Sequence, residues 1–233
     1  MRVVVDVRGW MWVDLLVNKE RTHGLVGTNT GVIKRLEGNH CWLVIITVVL
    51  APPARLAYRC GRIPNAYSNT KKIRSEANKF DDKIPKEKYI INVARFSAQK
   101  RHDILIQAYA KSNIDHKLVL MGTTDKPADE ENLKKIKKLI NDLGIHNQVI
   151  FTGFVTNPYP WVKNADLFVL SSDHEGLANV LVESLILNTM VVSTNCPFGP
   201  SEVLTGKLSD FLSPIGDVEA LSTNILNALN NPI

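Results

Sequence analysis

Two carboxylates, Glu175 and Glu183, stand eight positions apart in the run His174-Glu175-Gly176-Leu177-Ala178-Asn179-Val180-Leu181-Val182-Glu183-Ser184-Leu185. The run follows an apolar, strand-like segment, Leu167–Leu170. A short apolar strand, a small-residue loop with a glycine and then an apolar helix is how an open α/β sheet builds a ligand site. The loop crosses the carboxyl edge of the strand, and the helix turns its free N–H groups toward the ligand. Glu175 then lies in the loop, while Glu183, four residues after Asn179, shares a helix face with it. Because Val180, Leu181, Val182, Leu185 and Ile186 around it are apolar, an ionised Glu183 needs a specific partner; a glutamate facing water is the plainer alternative. Glu175 is also the residue type that a helix N-terminus favours without any ligand. Upstream, Arg95 and Lys100 in Asn92-Val93-Ala94-Arg95-Phe96-Ser97-Ala98-Gln99-Lys100 follow another apolar strand. They offer fixed positive charge to an anionic ligand, the guanidinium as a planar fork and the ammonium as a point charge. Alone, an Arg and a Lys at this spacing are usually solvated surface; their place after a buried strand gives them a role. His102 and His174 sit beside Lys100 and Glu175, but loop histidines with neither metal nor nucleophile are read as bystanders.

The glutamate run resembles the E-x7-E signature of retaining glycosyltransferases with the two-domain GT-B fold, family four of the usual sequence classification. Arg95 and Lys100 resemble that family's phosphate-binding pair. Ser193-Thr194-Asn195-Cys196-Pro197-Phe198-Gly199-Pro200-Ser201-Glu202 looks like the loop that follows the signature helix. The resemblance covers residues 61 to 233. It implies that Glu183 accepts hydrogen bonds from the nucleotide ribose, that Glu175 contacts donor-sugar hydroxyls near the reacting carbon, and that the backbone of Gly176, Leu177 and Ala178 approaches the distal phosphate and sugar. Asn179, next along the run, is counted with these donor-binding residues. Gly122, and Gly153-Phe154-Val155, occupy positions that line the nucleotide in the family, although a glycine after a strand is equally a turn residue. Ala178 departs from a common family form, which leaves the choice of sugar open. The implied partner is a nucleoside-diphosphate sugar, UDP-linked by expectation. With no D-x-D pair, neither a metal nor another cofactor is expected. No side chain is an obvious nucleophile, in keeping with same-face attack by the acceptor while the leaving phosphate helps remove its proton.

The elements that must position these residues alternate from Tyr89 onward. Strands are expected at Tyr89–Val93, Lys117–Met121, 149–151, Leu167–Leu170 and Met190–Thr194. Helices are expected at 103–111, at 129–143 with Gly144 as the stop, at 159–163, at 178–187, and at Val218–Asn230 behind an Asp217 cap. This is the pattern of a doubly wound parallel α/β sheet, Rossmann-like, the C-terminal half of a GT-B fold. A hydrophobic share of 45% over 233 residues sustains such a core and excludes a disordered chain. The net charge of +5 traces largely to Lys134, Lys135, Lys137 and Lys138 opposite Asp129, Glu130 and Glu131, a solvated helix face that gives no reason to expect a nucleic-acid partner. Cys41, Cys60 and Cys196 show neither zinc nor disulfide spacing and suit a reducing compartment. The longest apolar run, 41–54, is shorter than the roughly 20 residues of a membrane span, and no signal peptide is evident. A cytoplasmic protein is expected, with peripheral contact at the inner face of a membrane left open.

Residues 1–60 show no sustained helical or alternating period and match nothing in the family. There the resemblance calls for an N-terminal domain of about 150 residues that holds the glycan or lipid-linked acceptor. The expectation is that this acceptor half is missing, either because the start is not homologous sequence or because a partial domain has diverged. The chain is then a truncated glycosyltransferase, inactive alone. The alternatives are a non-catalytic nucleotide-sugar-binding fragment and a sugar-nucleotide epimerase of the same fold. A dehydrogenase is set aside because Asn92 to Lys100 contains no glycine for a G-x-G-x-x-G turn.

Overall fold

The computed structural model describes residues 2–6, 12–16, 28–37, 40–49, 57–62, 66–176, 178–197 and 199–231, with side chains from residue 70 onward. The chain divides into two units, Met1–Ile63 and Pro64–Ile233. In the first, β1 (Arg2–Asp6) pairs antiparallel with β2 (Trp12–Leu16), and β3 (Thr28–Glu37), β4 (His40–Val49) and β5 (Ala57–Arg62) form an antiparallel sheet in that order. No alternating period announces these strands. The Leu43 to Val49 stretch of β4 is instead a continuous β-branched and apolar run, whose residue types favour extended backbone.

The second unit contains, in chain order, α1 (Ala66–Glu76), β6 (Tyr89–Val93), α2 (His102–Ser112), β7 (Lys117–Met121), α3 (Pro127–Asp142), β8 (Val149–Gly153), α4 (Tyr159–Asn164), β9 (Leu167–Leu170), α5 (Asn179–Ile186), β10 (Met190–Thr194), α6 (Pro200–Val203), β11 (Leu212–Ser213) and α7 (Val218–Asn230). The strands lie in the order β11-β10-β9-β6-β7-β8, every pair parallel. The chain winds outward from β6 to β8, returns to the other side of β6, and winds outward again to β11. Strand order therefore reverses between β6 and β9, which is where open α/β sheets hold their ligands.

Alternate residues of each strand serve opposite faces. Ile90, Leu118, Leu120, Leu167, Val169 and Val192 pack on one side with Leu105 of α2, Ile136 of α3 and Leu221 of α7. Tyr89, Ile91, Val119, Phe168, Leu170 and Val191 pack on the other with Ile73 of α1, Trp161 of α4 and Leu181 of α5. The central strands are apolar at successive positions because both faces are covered, so their ends are easy to read. Most of the expected strands match the observed bounds, and β8 runs on to Gly153. α7 has the bounds expected, and its cap is Asp217, whose Oδ1 accepts from the Ala220 N–H at 2.9 Å. α3 starts earlier than expected, at Pro127, a residue suited to a first helical position. Asp129 is corrected from solvated face to interior: it is 6% exposed and accepts from the Asp125 N–H at 3.2 Å, closing the turn before the helix.

Gly122 is a packing requirement. A Cβ there would lie 1.9 Å from the Ala94 carbonyl oxygen, because the ends of β6 and β7 stay bonded through Ala94 N–H to Met121 O at 2.9 Å and Phe96 N–H to Thr123 O at 3.1 Å. Backbone on both sides leaves little room to yield, so Gly122→Ala is expected to destabilise the unit by about 1–3 kcal/mol, read as a lower urea midpoint. His102, at the start of α2, is 1% exposed and stacks on Phe96 with ring centroids 4.9 Å apart. Neither ring nitrogen has a hydrogen-bond partner among the described residues. Burial lowers its pKa to about 4, with Asp103 opposing and Lys100 assisting. The unfolded chain takes up this proton near pH 6.5 and the folded one only near pH 4, so stability falls as pH drops through that window. The loss should reach about 3 kcal/mol, and His102→Phe should flatten the stability–pH curve between those limits.

Candidate functional site

The backbone ladder between β6 and β9 runs only through Ile90↔Leu167 and Ile91↔Phe168. Beyond it the strands part, and the buried Asn92 side chain bridges them, its Nδ2 donating to Val169 O at 2.8 Å. The opening is floored by the loops after the two strands, which bond to each other. Ser171 Oγ donates to Lys100 O at 2.8 Å, the Asp173 N–H to Gln99 O at 3.0 Å, and Gln99 Nε2 to His174 O at 2.6 Å.

Lys100 ends a short 3-10 turn, Ala98–Lys100, inside this seam. Its Nζ donates to both oxygens of Glu175, at 2.8 and 3.0 Å, and the two side chains are only 17% and 10% exposed. Ser172 Oγ also donates to Glu175 Oε1, at 2.5 Å. Arg101, the next residue, has φ 45 and ψ 48, a left-handed conformation that costs a non-glycine residue energy. Ion pairs to Asp103 (3.0 Å) and Asp173 (2.9 Å) hold it there, and so fix the backbone from which Lys100 projects. His174, expected as a bystander, contributes its carbonyl to the seam while its side chain is exposed.

Arg95 and Lys100 leave the same strand but turn to opposite neighbours. Arg95 pairs with Asp125 of the β7–α3 loop at 3.3 Å with both side chains about half exposed, whereas Lys100 reaches the β9 loop. The two cations thus flank β6, with the Arg95 fork open to solvent. Glu183 lies on the first turns of α5. Burial raises its pKa, and the Tyr159 hydroxyl, 3.4 Å from Oε1, opposes that rise. Asn179 and Gly176 are exposed at the start of the helix. Ala178 is instead 2% exposed, covered by Gly199, whose Cβ would come within 3.0 Å of the Ala178 nitrogen. Gly199 has φ 102, so this lid over the helix start depends on glycine. Cys196 in the same loop is buried, which pushes its thiol pKa up, assisted by the Glu175 charge. Leu177 and Phe198 lie outside the described residues.

Gly122 and Gly153 meet at the far end of the edge, the Gly122 N–H donating to Gly153 O at 3.1 Å. Gly153 has φ 69, Phe154 projects with 75% of its surface exposed, and Val155 folds back against the core. The edge therefore presents fixed cations, a shielded carboxylate on a cation, a second desolvated carboxylate, and an exposed ring. Among the described residues no three His, Cys, Asp or Glu side chains converge as a metal site, and no helix is long and apolar enough to cross a membrane. Tyr159 and Ser172, which touch the two glutamates, escape a reading by spacing because they come from a different helix and from the strand's own end.

Comparison with known proteins gives these features a context. Residues 74–233 match the family model for glycosyl transferases group 1. The chain is 34% identical over 155 residues to a glycosyltransferase of Methanocaldococcus jannaschii, covering 63% of this chain and 36% of that protein. It is 36% identical over 124 residues to the N-acetylgalactosamine-N,N'-diacetylbacillosaminyl-diphospho-undecaprenol 4-alpha-N-acetylgalactosaminyltransferase of Campylobacter jejuni, covering 53% of this chain and 32% of that one. The chain thus spans about a third of the length of these curated relatives. Among solved structures, Anabaena HepE in complex with UDP and glucose superposes with a TM-score of 0.57 at 24% identity, over 71% of this chain and 43% of that one, a likeness of fold. The match to residues 74–233 takes in the whole six-stranded parallel sheet and most of the chain, and the chain belongs to the glycosyl transferases group 1 family.

Proposed function

We propose that residues 61–233 form the donor half of a retaining glycosyltransferase that moves a hexose or N-acetylhexosamine from a nucleoside diphosphate, UDP, to a surface-glycan or lipid-linked acceptor. The observation that carries this reading is the shielded Lys100–Glu175 pair at the strand reversal, flanked by the exposed Arg95 and by Glu183. A diphosphate entering the edge competes with Glu175 for Lys100 and meets the Arg95 fork. As the glycosidic bond breaks, charge grows on the leaving phosphate, and fixed cations stabilise that charge more than the ground state. Glu175, released from Lys100 but still bonded to Ser172, is then free to accept from donor-sugar hydroxyls. Glu183 accepts from the ribose hydroxyls. The acceptor attacks from the face the diphosphate leaves, and a departing phosphate oxygen takes its proton. Support for the class of donor and acceptor comes from relatives: HepE was solved with UDP and glucose, and the Campylobacter relative is named for a transfer onto a diphospho-undecaprenol carrier.

Because Arg95 and Lys100 supply the positive charge, UDP is expected to bind with chelator present, measured by titration calorimetry. Binding that appears only on adding magnesium or manganese would overturn the metal-free part of the proposal. Glu183→Ala is expected to weaken UDP binding by about 1.5–3 kcal/mol, the worth of hydrogen bonds to a charged group, or roughly ten- to hundredfold. Normal binding by a variant with unchanged circular dichroism would leave Glu183 as a surface glutamate.

A further inference from the structure

We infer that Tyr159 is the positioning residue for Glu183, fixing the carboxylate so that its second oxygen faces the nucleotide; this rests on the ribose role proposed for Glu183. Tyr159 is the first residue of α4, and three constraints hold it. Its ring packs against the core that the second face of the sheet shares with α1, α4 and α5. Its backbone N–H donates to Asn157 Oδ1 at 3.3 Å. Asn157 Nδ2 in turn donates to the Glu76 carbonyl of α1 at 3.0 Å and lies 3.4 Å from Glu76 Oε2. The phenol therefore sits on a braced turn, and its hydroxyl reaches Glu183 Oε1 across 3.4 Å. That is long for a phenol on a carboxylate, and contacts of this kind shorten when a ligand completes the site.

The chemistry suits the role. A phenol donates one proton, and a carboxylate has two oxygens with about four acceptor positions. Tyr159 takes one of them and leaves Oε2, with the remaining lone pair of Oε1, for a vicinal diol. The same bond bears on charge. Burial favours the protonated form of Glu183, which accepts more weakly, and donation by Tyr159 opposes this. The phenol itself is held protonated by burial, with the charges of Glu183 and Glu76 adding to the effect, so it stays a donor through the neutral range. From α1, Glu76 is itself paired with Lys79 at 2.7 Å, and Arg74 donates to the Ile186 carbonyl at the far end of α5.

The test is calorimetric titration of the full chain with UDP and with 2′-deoxy-UDP between about pH 5 and 8, using wild type, Tyr159→Phe, Glu183→Ala and the double variant. Tyr159→Phe keeps the ring and its packing. It should weaken UDP binding about three- to tenfold at neutral pH, and the acid-side loss of affinity should begin at a higher pH than in wild type. Adding Tyr159→Phe to Glu183→Ala should change nothing further, and wild type's preference for UDP over 2′-deoxy-UDP should shrink in each single variant. Tyr159→Phe weakening binding equally at all pH values, or in the absence of Glu183 as well, would make the tyrosine structural and overturn the inference. If Glu183→Ala binds UDP like wild type, it is the ribose role that fails, and the inference with it. If Glu183→Ala is weakened while Tyr159→Phe is unchanged, only the inference fails.

Discussion

The second unit turns on one ion pair placed where burial makes it expensive. Lys100 and Glu175 keep 17% and 10% of their side-chain surface exposed, and removing two charges from water costs several kcal/mol each before their attraction is counted. A hydrophobic pair of similar size would serve stability at least as well. The surroundings are built to keep these charges in place. Ser172 satisfies a second lone pair of Glu175, and the left-handed Arg101 is clamped by two aspartates immediately after Lys100. Such a pair makes sense as a stored cation. While Glu175 holds Lys100 through both carboxylate oxygens, the lysine stays aimed into the seam. In the function proposed above, a diphosphate, carrying more charge than a carboxylate, displaces that partner without the protein having to order a mobile side chain first.

The sheet makes this possible by failing to zip. Had β6 and β9 paired to their ends, Asn92 and Val169 would have bonded through backbone. Pairing stops after Ile91↔Phe168, and a side chain spans the gap, so side chains and loop hydrogen bonds rather than the ladder join the strand ends at the reversal while the core below remains continuous. On the opposite side of β6 the reverse condition holds. Gly122 brings β7 into contact with Ala94 and so keeps the loop that carries Arg95 tight against its neighbour. Loop hydrogen bonds toward β9 on one side of β6 and the tight contact with β7 on the other explain why two cations from one strand end meet different partners.

Much of this was legible in the residues, and the reason is physical. Central strands buried on both faces are uniform apolar runs with polar ends, so Tyr89–Val93 and Leu167–Leu170 could be read without a partner in sight. α1 was not anticipated because its composition is mostly polar and its buried residues, Ile73 and Ala77 just beyond its end, are too few to announce a period. β11 has two residues and exists only because β10 offers an edge. α6 has four, behind a positive-φ glycine. Asp129 looked like one more charge on a charged helix; only the turn before the helix shows that its carboxylate is an acceptor for a backbone N–H.

The limit of a motif is clearest at Glu183. Spacing identifies that glutamate and predicts the face of α5 on which it lies, since helix geometry is local. It cannot identify Tyr159, which is 24 positions upstream on another helix and reaches the carboxylate only because α4 and α5 pack on the same side of the sheet. Residues that make up a binding motif are joined by backbone periodicity, whereas residues that tune it are joined by packing, which carries no fixed spacing. A carboxylate placed by a helix but held by a neighbour therefore has half of its chemistry outside its motif. On an apolar helix that half matters, because burial alone would drive the group toward its neutral form.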